Sequence, residues 1–175
     1  ENKWEIQTLV INPNISFSAE ITKIINDCIL KNVNVVSADK KLLSKLSNNN
    51  NAQNIIFKVK KKKFLFSDLN INDVYVAIDG IMNPGNLGTI IRTLDWFGYK
   101  QLFCSNNTVD CFNNKSVMSC MGSIFRVNCH YIDFDKFQQL FPQHVTYGTS
   151  LNGENIDSVR LVTNSIIVIG NESNG

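Results

Sequence analysis

The sequence predicts an α/β protein whose larger part is a mostly parallel sheet with helices on both faces, preceded by a small α/β unit. Three observations carry that expectation. Short apolar runs alternate with amphipathic segments along most of the chain, and glycine- and asparagine-rich turns fall where a strand hands over to a helix. A length of 175 residues with 43% hydrophobic side chains is enough to bury a substantial core in one domain or two small ones. The formal net charge of +2 is too slight to mark a nucleic-acid binder by composition, because phosphate affinity needs clustered Lys and Arg.

Taken in order, "EIQTLVIN" reads as a strand and "SAEITKIINDCILKN" as an amphipathic helix, with Ser18 as its cap and Ile21, Ile24, Ile25, Cys28 and Ile29 on one face. "VNVVSA" is a second strand, "DKKLLSKLS" a short helix and "AQNIIFKV" a third strand, with the run Asn48 to Asn51 as a loop insert between them. The first domain therefore spans residues 1–63. It closes on Lys58, Lys60, Lys61, Lys62 and Lys63, the densest charge block in the chain, which reads either as a solvated linker or as a strip that contacts phosphates.

The second domain, residues 70–175, starts with the strand "VYVAID" and continues with a helix from about Leu87 and the strand "QLFCS". A helix near "KSVMSCMGS", the strand "FRVNCHYI", the helix "DFDKFQQLF" and the strands "VTYGTS" and "SIIVIG" complete it. Ligands of such a sheet are expected in the loops beyond the carboxyl ends of its strands.

The turn "DGIMNPGNLG" is the most informative stretch. Gly85 and Gly88 remove side chains where a backbone or ligand comes close, Pro84 stiffens the turn, and Asn86 is placed to cap the helix. Leu87, Ile90, Ile91, Leu94 and Phe97 recur at helical spacing, which assigns the core face, and Gly98 stands where a left-handed stop is wanted. Arg92 lies away from that stripe and projects toward solvent, a partner or a ligand. Neither the dinucleotide fingerprint nor the Walker pattern is present. A second stretch, "IVIGNESNG", brings Gly170, Asn171, Glu172 and Gly175 to a strand end, where a carboxylate can accept hydrogen bonds from a ligand or orient an arginine.

Five cysteines, Cys28, Cys104, Cys111, Cys120 and Cys129, form no C-x-x-C pair and fit reduced thiols in an intracellular protein better than a disulfide framework. No metal site is expected, since no His or Cys pair has ligand spacing. No apolar run reaches the roughly 18 residues of a membrane span, so no membrane partner is expected. Glu1 in place of Met, and a stop just after an apolar strand, lead to the expectation that both ends are cut from a longer chain.

"NPGNLGTIIRTLDWFG", "SVMSCMGSIFRV" and "IVIGNESNG", in that order and spacing, resemble the motifs of the SpoU (TrmH-like) family of RNA ribose 2′-O-methyltransferases, members of the knotted SPOUT class. The resemblance covers about Val74 to Gly175. The segment before it is similar to the end of the small ribosomal-protein-like domain with which many such enzymes grip RNA. What the resemblance implies is a knotted sheet whose closing segment follows Gly175, S-adenosylmethionine as cofactor, RNA as substrate and a homodimer. It implies that Arg92 is catalytic, that Asn86 belongs to the same motif, and that Glu172 orients Arg92. It also implies that Gly170 and Gly175 line the cofactor, which the loop Thr149 to Gly153 contacts largely through its backbone, with Thr149, Leu151 and Gly153 as the contact residues. Where the second motif often has an arginine and a serine, this chain has Met118 and Cys120. Ribosomal RNA is the expected substrate; transfer RNA, or a non-catalytic RNA-binding role, is the alternative.

Overall fold

The computed structural model describes residues 4–47, 51–62, 69 and 73–171. These divide into two compact units, Glu1–Lys63 and Phe64–Gly175. Lys63, Glu172 and Gly175 lie outside the described residues, as does the point at which a knot would close.

In the first unit, β1 (Ile6–Ile11) pairs in parallel with β2 (Asn34–Ser37) and antiparallel with β3 (Ile55–Val59), in the order β2-β1-β3. Helix α1 (Ala19–Leu30) starts where the Ser18 hydroxyl accepts from the Ile21 N–H, and α2 (Lys40–Leu46) where the Asp39 carboxylate accepts from the Leu42 N–H. Leu9, Ile25 and Cys28 are buried, with Ile21 packed against them. Ile24 and Ile29, expected on the same face, are exposed. The buried stripe is only as wide as the small sheet beneath it, so residues flanking the line Ile21, Ile25, Cys28 rotate out to solvent.

The second unit is a five-stranded sheet in the order β6-β5-β4-β8-β7, every neighbour parallel. The strands are β4 (Tyr75–Ile78), β5 (Gln101–Cys104), β6 (Asn128–Tyr131), β7 (Val145–Gly148) and β8 (Ser165–Ile169). The helices are α3 (Pro84–Trp96), α4 (Asn114–Ser119) and α5 (Phe134–Leu140). The expected parallel, doubly covered sheet is what the chain forms. Strand periodicity explains why: in β4, Val76 and Ile78 join Leu87, Ile91 and Leu94 of α3 in one core, while Tyr75 and Ala77 join Phe137 of α5 in the other.

Several boundaries differ from expectation. Asn83, not Asn86, caps α3, accepting from the Gly85 N–H at 2.8 Å, and Pro84 takes the first helical position, where its missing N–H costs nothing. Phe97 is 71% exposed rather than core, because it lies past the last turn; Gly98 then ends the helix at φ +82° as expected. The second-motif helix stops at Ser119, followed by Met121 and Gly122 in left-handed backbone and a single 3-10 turn, which delays β6 to Asn128.

Candidate active site

β4 is buried along its whole length and delivers the chain to the carboxyl edge of the sheet at Asp79. Gly80, at φ +64°, turns the backbone away from the sheet in a conformation that side chains resist. The turn is tied down at successive residues. The Asp79 N–H donates to the Ile169 carbonyl at 2.9 Å, the Gly80 N–H to the Ser105 hydroxyl at 2.9 Å, the Asn171 side-chain amide to the Gly80 carbonyl at 2.6 Å, and the Val109 N–H to the Ile81 carbonyl at 2.9 Å.

From this turn α3 runs back along the sheet. Leu87, Gly88, Ile91 and Leu94 form its buried side. A Cβ on Gly88 would stand 2.6 Å from both the Ser116 carbonyl oxygen and the Ser119 Cβ, so glycine here lets α3 and α4 touch through their backbones. On the opposite side Thr89, Arg92 and Thr93 are exposed, and the two threonine hydroxyls donate back to helix carbonyls. Arg92 makes no ion pair with any described residue. Asn86 is half-buried in the first turn.

Arg126 is a useful contrast. Its guanidinium lies 2.6 Å from the Asp95 carboxylate, with Lys100 at 3.6 Å on the same group, and the Arg126 hydrogen bond holds the Asp95 carboxyl below the usual carboxylate range. That arginine is committed to joining α3 to the segment before β6, whereas Arg92 is exposed and pairs with no described carboxylate.

On the other side of β4, the Thr149 N–H donates to the Val168 carbonyl as the chain leaves β7. The following loop and the adjacent strand enclose a cavity of about 350 Å³ lined by Tyr147, Thr149, Ser150, Gly153, Ile156 and Ile167, among others. Tyr147 and Ile167, both in its lining, are register partners on β7 and β8. Gly148 adds no side chain to its mouth, and a Cβ there would meet open space. Of the residues expected at the cofactor, Thr149 and Gly153 line this cavity, Gly170 lies half-buried at the end of β8, and Leu151 stands outside it with its side chain fully exposed at 104%. Its lining is mostly apolar, with Thr149 and Ser150 among the polar residues, and its volume is that of a small-molecule site.

The lysines of the first unit are partly engaged. Lys60 pairs with Glu5 at 3.0 Å and the Lys62 ammonium sits 5.6 Å from the centre of the Trp4 ring, while Lys58 is exposed on β3. Met118 is exposed, but Cys120 is fully buried with its thiol on the Val117 carbonyl, so it belongs to the core rather than to a contact surface. Hydrogen bonding to Cys129, then burial, raises the Cys111 thiol, and hydrogen bonding to Cys104 with burial raises Cys129; both stay protonated and unreactive. Among the described residues no His, Cys, Asp or Glu cluster is arranged to hold a metal, and no helix is long and apolar enough to cross a membrane.

Sequence reading missed Ser105 and Asn83. Asn83 was legible, since Asn directly before Pro is a helix-start signature. Ser105 was not, because a serine at a strand end carries no local mark of the peptide it will meet.

Residues 73–175 match the model of the SpoU rRNA Methylase family. The chain is 33% identical over 107 residues to the 23S rRNA (guanosine(2553)-2′-O)-methyltransferase RlmP of Bacillus subtilis, an alignment covering 57% of this chain and 42% of that protein. Among solved structures, an rRNA methyltransferase from Sinorhizobium meliloti superposes with a TM-score of 0.85 at 24% identity over 98% of this chain and 66% of that one. The SpoU methyltransferase AviRb from Streptomyces viridochromogenes, in complex with AdoMet, gives 0.81 at 19% over 99% and 68%. The chain thus spans less than half the length of the Bacillus relative and about two thirds of the two structural ones.

Proposed function

The chain belongs to the SpoU rRNA methylase family, and on that premise we propose that it transfers a methyl group from S-adenosylmethionine to a ribose 2′-hydroxyl of ribosomal RNA. The observation that carries this reading is Arg92. It is an exposed guanidinium on a helix whose other side is locked into the core, and that helix starts at the sheet edge where the small-molecule-sized cavity lies.

The cofactor supplies a methyl group on a sulfonium, already bonded to its leaving group. In the transfer a methyl carbon–sulfur bond breaks, a carbon–oxygen bond to the ribose forms, and the hydroxyl proton departs. The chain's task is alignment and charge stabilisation. A guanidinium stays protonated in proteins and is a poor proton acceptor. Arg92 therefore holds the ribose and its neighbouring phosphate through its fork of donors and stabilises the developing alkoxide, and the proton passes to phosphate or water. Thr149 and Gly153, with the backbone of their loop, hold the adenosine end. Asn86 supports the first turn of α3, and Glu172 orients Arg92 as the family resemblance implies, with Gly170 and Gly175 against the cofactor.

The first unit, in this reading, is the RNA-gripping domain, ribosomal-protein-like in fold, and its lysine run, Lys58 and Lys60 to Lys63, meets the phosphates, with Lys58 exposed on β3 and Lys60 and Lys62 also bonded within their own unit. The working protein is a knotted homodimer inside the cell, in the cytoplasm or a ribosome-bearing organelle.

The test is methyl transfer from labelled S-adenosylmethionine to ribosomal RNA, read as label that survives at one alkali-resistant linkage, because a methylated 2′-oxygen cannot attack its own phosphodiester. Label in a base, or none with cofactor bound, refutes the reading.

A further inference from the structure

The strand-end turn is held by a device of which only Asn171 lies in the sequence motifs. The Ser105 hydroxyl, buried in the loop after β5, accepts from the Gly80 N–H at 2.9 Å, donates to the Asn107 side-chain carbonyl, and lies 3.1 Å from the Thr108 hydroxyl. On the far side of the same peptide segment, Asn171 donates to the Gly80 carbonyl. Both backbone polar groups of Gly80 are thus taken up by side chains from the ends of two other strands. The bond from Asn171 spans 91 residues of sequence.

We propose that Ser105 and Asn171 are positioning residues which clamp Gly80 from its two sides and fix the α3 turn in register with the loop after β8. The consequence is specific to the proposed chemistry, on which this inference rests. Three residues past Gly80, Asn83 caps the helix that carries Arg92; one residue past Asn171 comes Glu172. The clamp is a short bonded path between those two loops, and it sets their relative depth along the sheet. Gly80 suits the role because its left-handed backbone lets both groups point outward, and a Cβ there would stand 3.4 Å from the Asn107 amide nitrogen. Each partner is replaceable as far as folding is concerned, since Asp79 and Ile81 remain bonded through backbone groups alone.

The experiment compares Ser105→Ala, Asn171→Asp and the double variant in methyl transfer to ribosomal RNA, with amide hydrogen exchange recorded on the same samples. We expect kcat to fall about tenfold or more in each single variant, as for a misplacement of under an ångström, with KM for RNA and the dissociation constant of S-adenosylmethionine within about twofold. The double variant should fall no further than the less active single one, because both changes release the same residue, Gly80. At Gly80, exchange should quicken at least about tenfold without a matching change in β4. Losses that track the folded fraction, or that multiply in the double variant, overturn the clamp. Should the parent protein transfer no methyl group, the functional reading fails by itself, and exchange decides the clamp: unchanged protection at Gly80 in both single variants refutes it.

Discussion

The turn that leaves β4 has its polar groups tied to β5, β8 and their loops, whereas the loop that leaves β7, at the same edge of the same sheet, makes one bond to β8 and a few within itself among the described residues. Gly80 and Ile81 are buried; Thr149 to Gly153 are all exposed. The difference separates two tasks. A group that must meet a transition state is worth most when no reorganisation is needed, so it rides on a locked helix. A site that admits and releases a cofactor is built from backbone that can yield, and low local stability is what permits that.

Four changes break or sharpen this contrast. The largest effect is expected from Arg92→Ala, which should lower kcat by about 100-fold or more with an unchanged melting temperature, since the side chain is exposed and touches no core residue. Lysine there should restore little, because a point charge lacks the paired donors of the fork. Activity near the parent level in Arg92→Lys would show that charge alone suffices.

Next, Gly88→Ala strikes the locked side in its packing. The new methyl meets a backbone carbonyl at 2.6 Å, so α4 must move, at a cost of about 1–3 kcal/mol measurable by denaturant titration. On the proposed reading, the affinity for S-adenosylmethionine should be unchanged in that variant.

A comparable effect comes from acid. His130 on β6 is buried against Phe103, with its Nε2 2.7 Å from the Gln101 side-chain oxygen, and burial lowers its pKa to about 4 from the ordinary 6.5. The unfolded chain takes up this proton first as pH falls. The stabilisation is therefore complete above pH 6.5 and is lost as pH drops toward 4, by roughly 3 kcal/mol in all. Melting curves between pH 7 and 4.5 should show that slope, and His130→Gln should flatten it. Smallest of all, Leu151→Ala on the yielding loop should change stability by less than about 0.5 kcal/mol. A larger loss would mean that its exposed side chain is covered in the working protein.

How far the sequence reached follows the same divide. Strand and helix order was legible because β4, β5 and α3 carry strong apolar periodicity, and the arginine was legible as the residue that periodicity leaves out. Boundaries failed where local chemistry competed: Asn83 and Asn86 both suit a cap, and Pro84 decides between them only once its missing N–H is considered. Ile24 and Ile29 were misplaced because helix periodicity says which residues share a side, not how broad a surface awaits them. Ser105 and Asn171 meet Gly80 only after three strands align, and no window of sequence contains that meeting.

The order of strands also has a kinetic side. β4 lies in both cores and at the centre of the sheet, yet its partner β8 is made some ninety residues later, Tyr75 pairing with Ile166. Until β8 arrives, a nascent chain that has already assembled β4, β5 and β6 presents one open, apolar strand edge. Closing so long a loop is slow, and such an edge invites pairing with other chains. The step that pairs β8 with β4 is thus also the step that protects this edge, and during synthesis the edge stays open from the emergence of Tyr75 to that of Ile169.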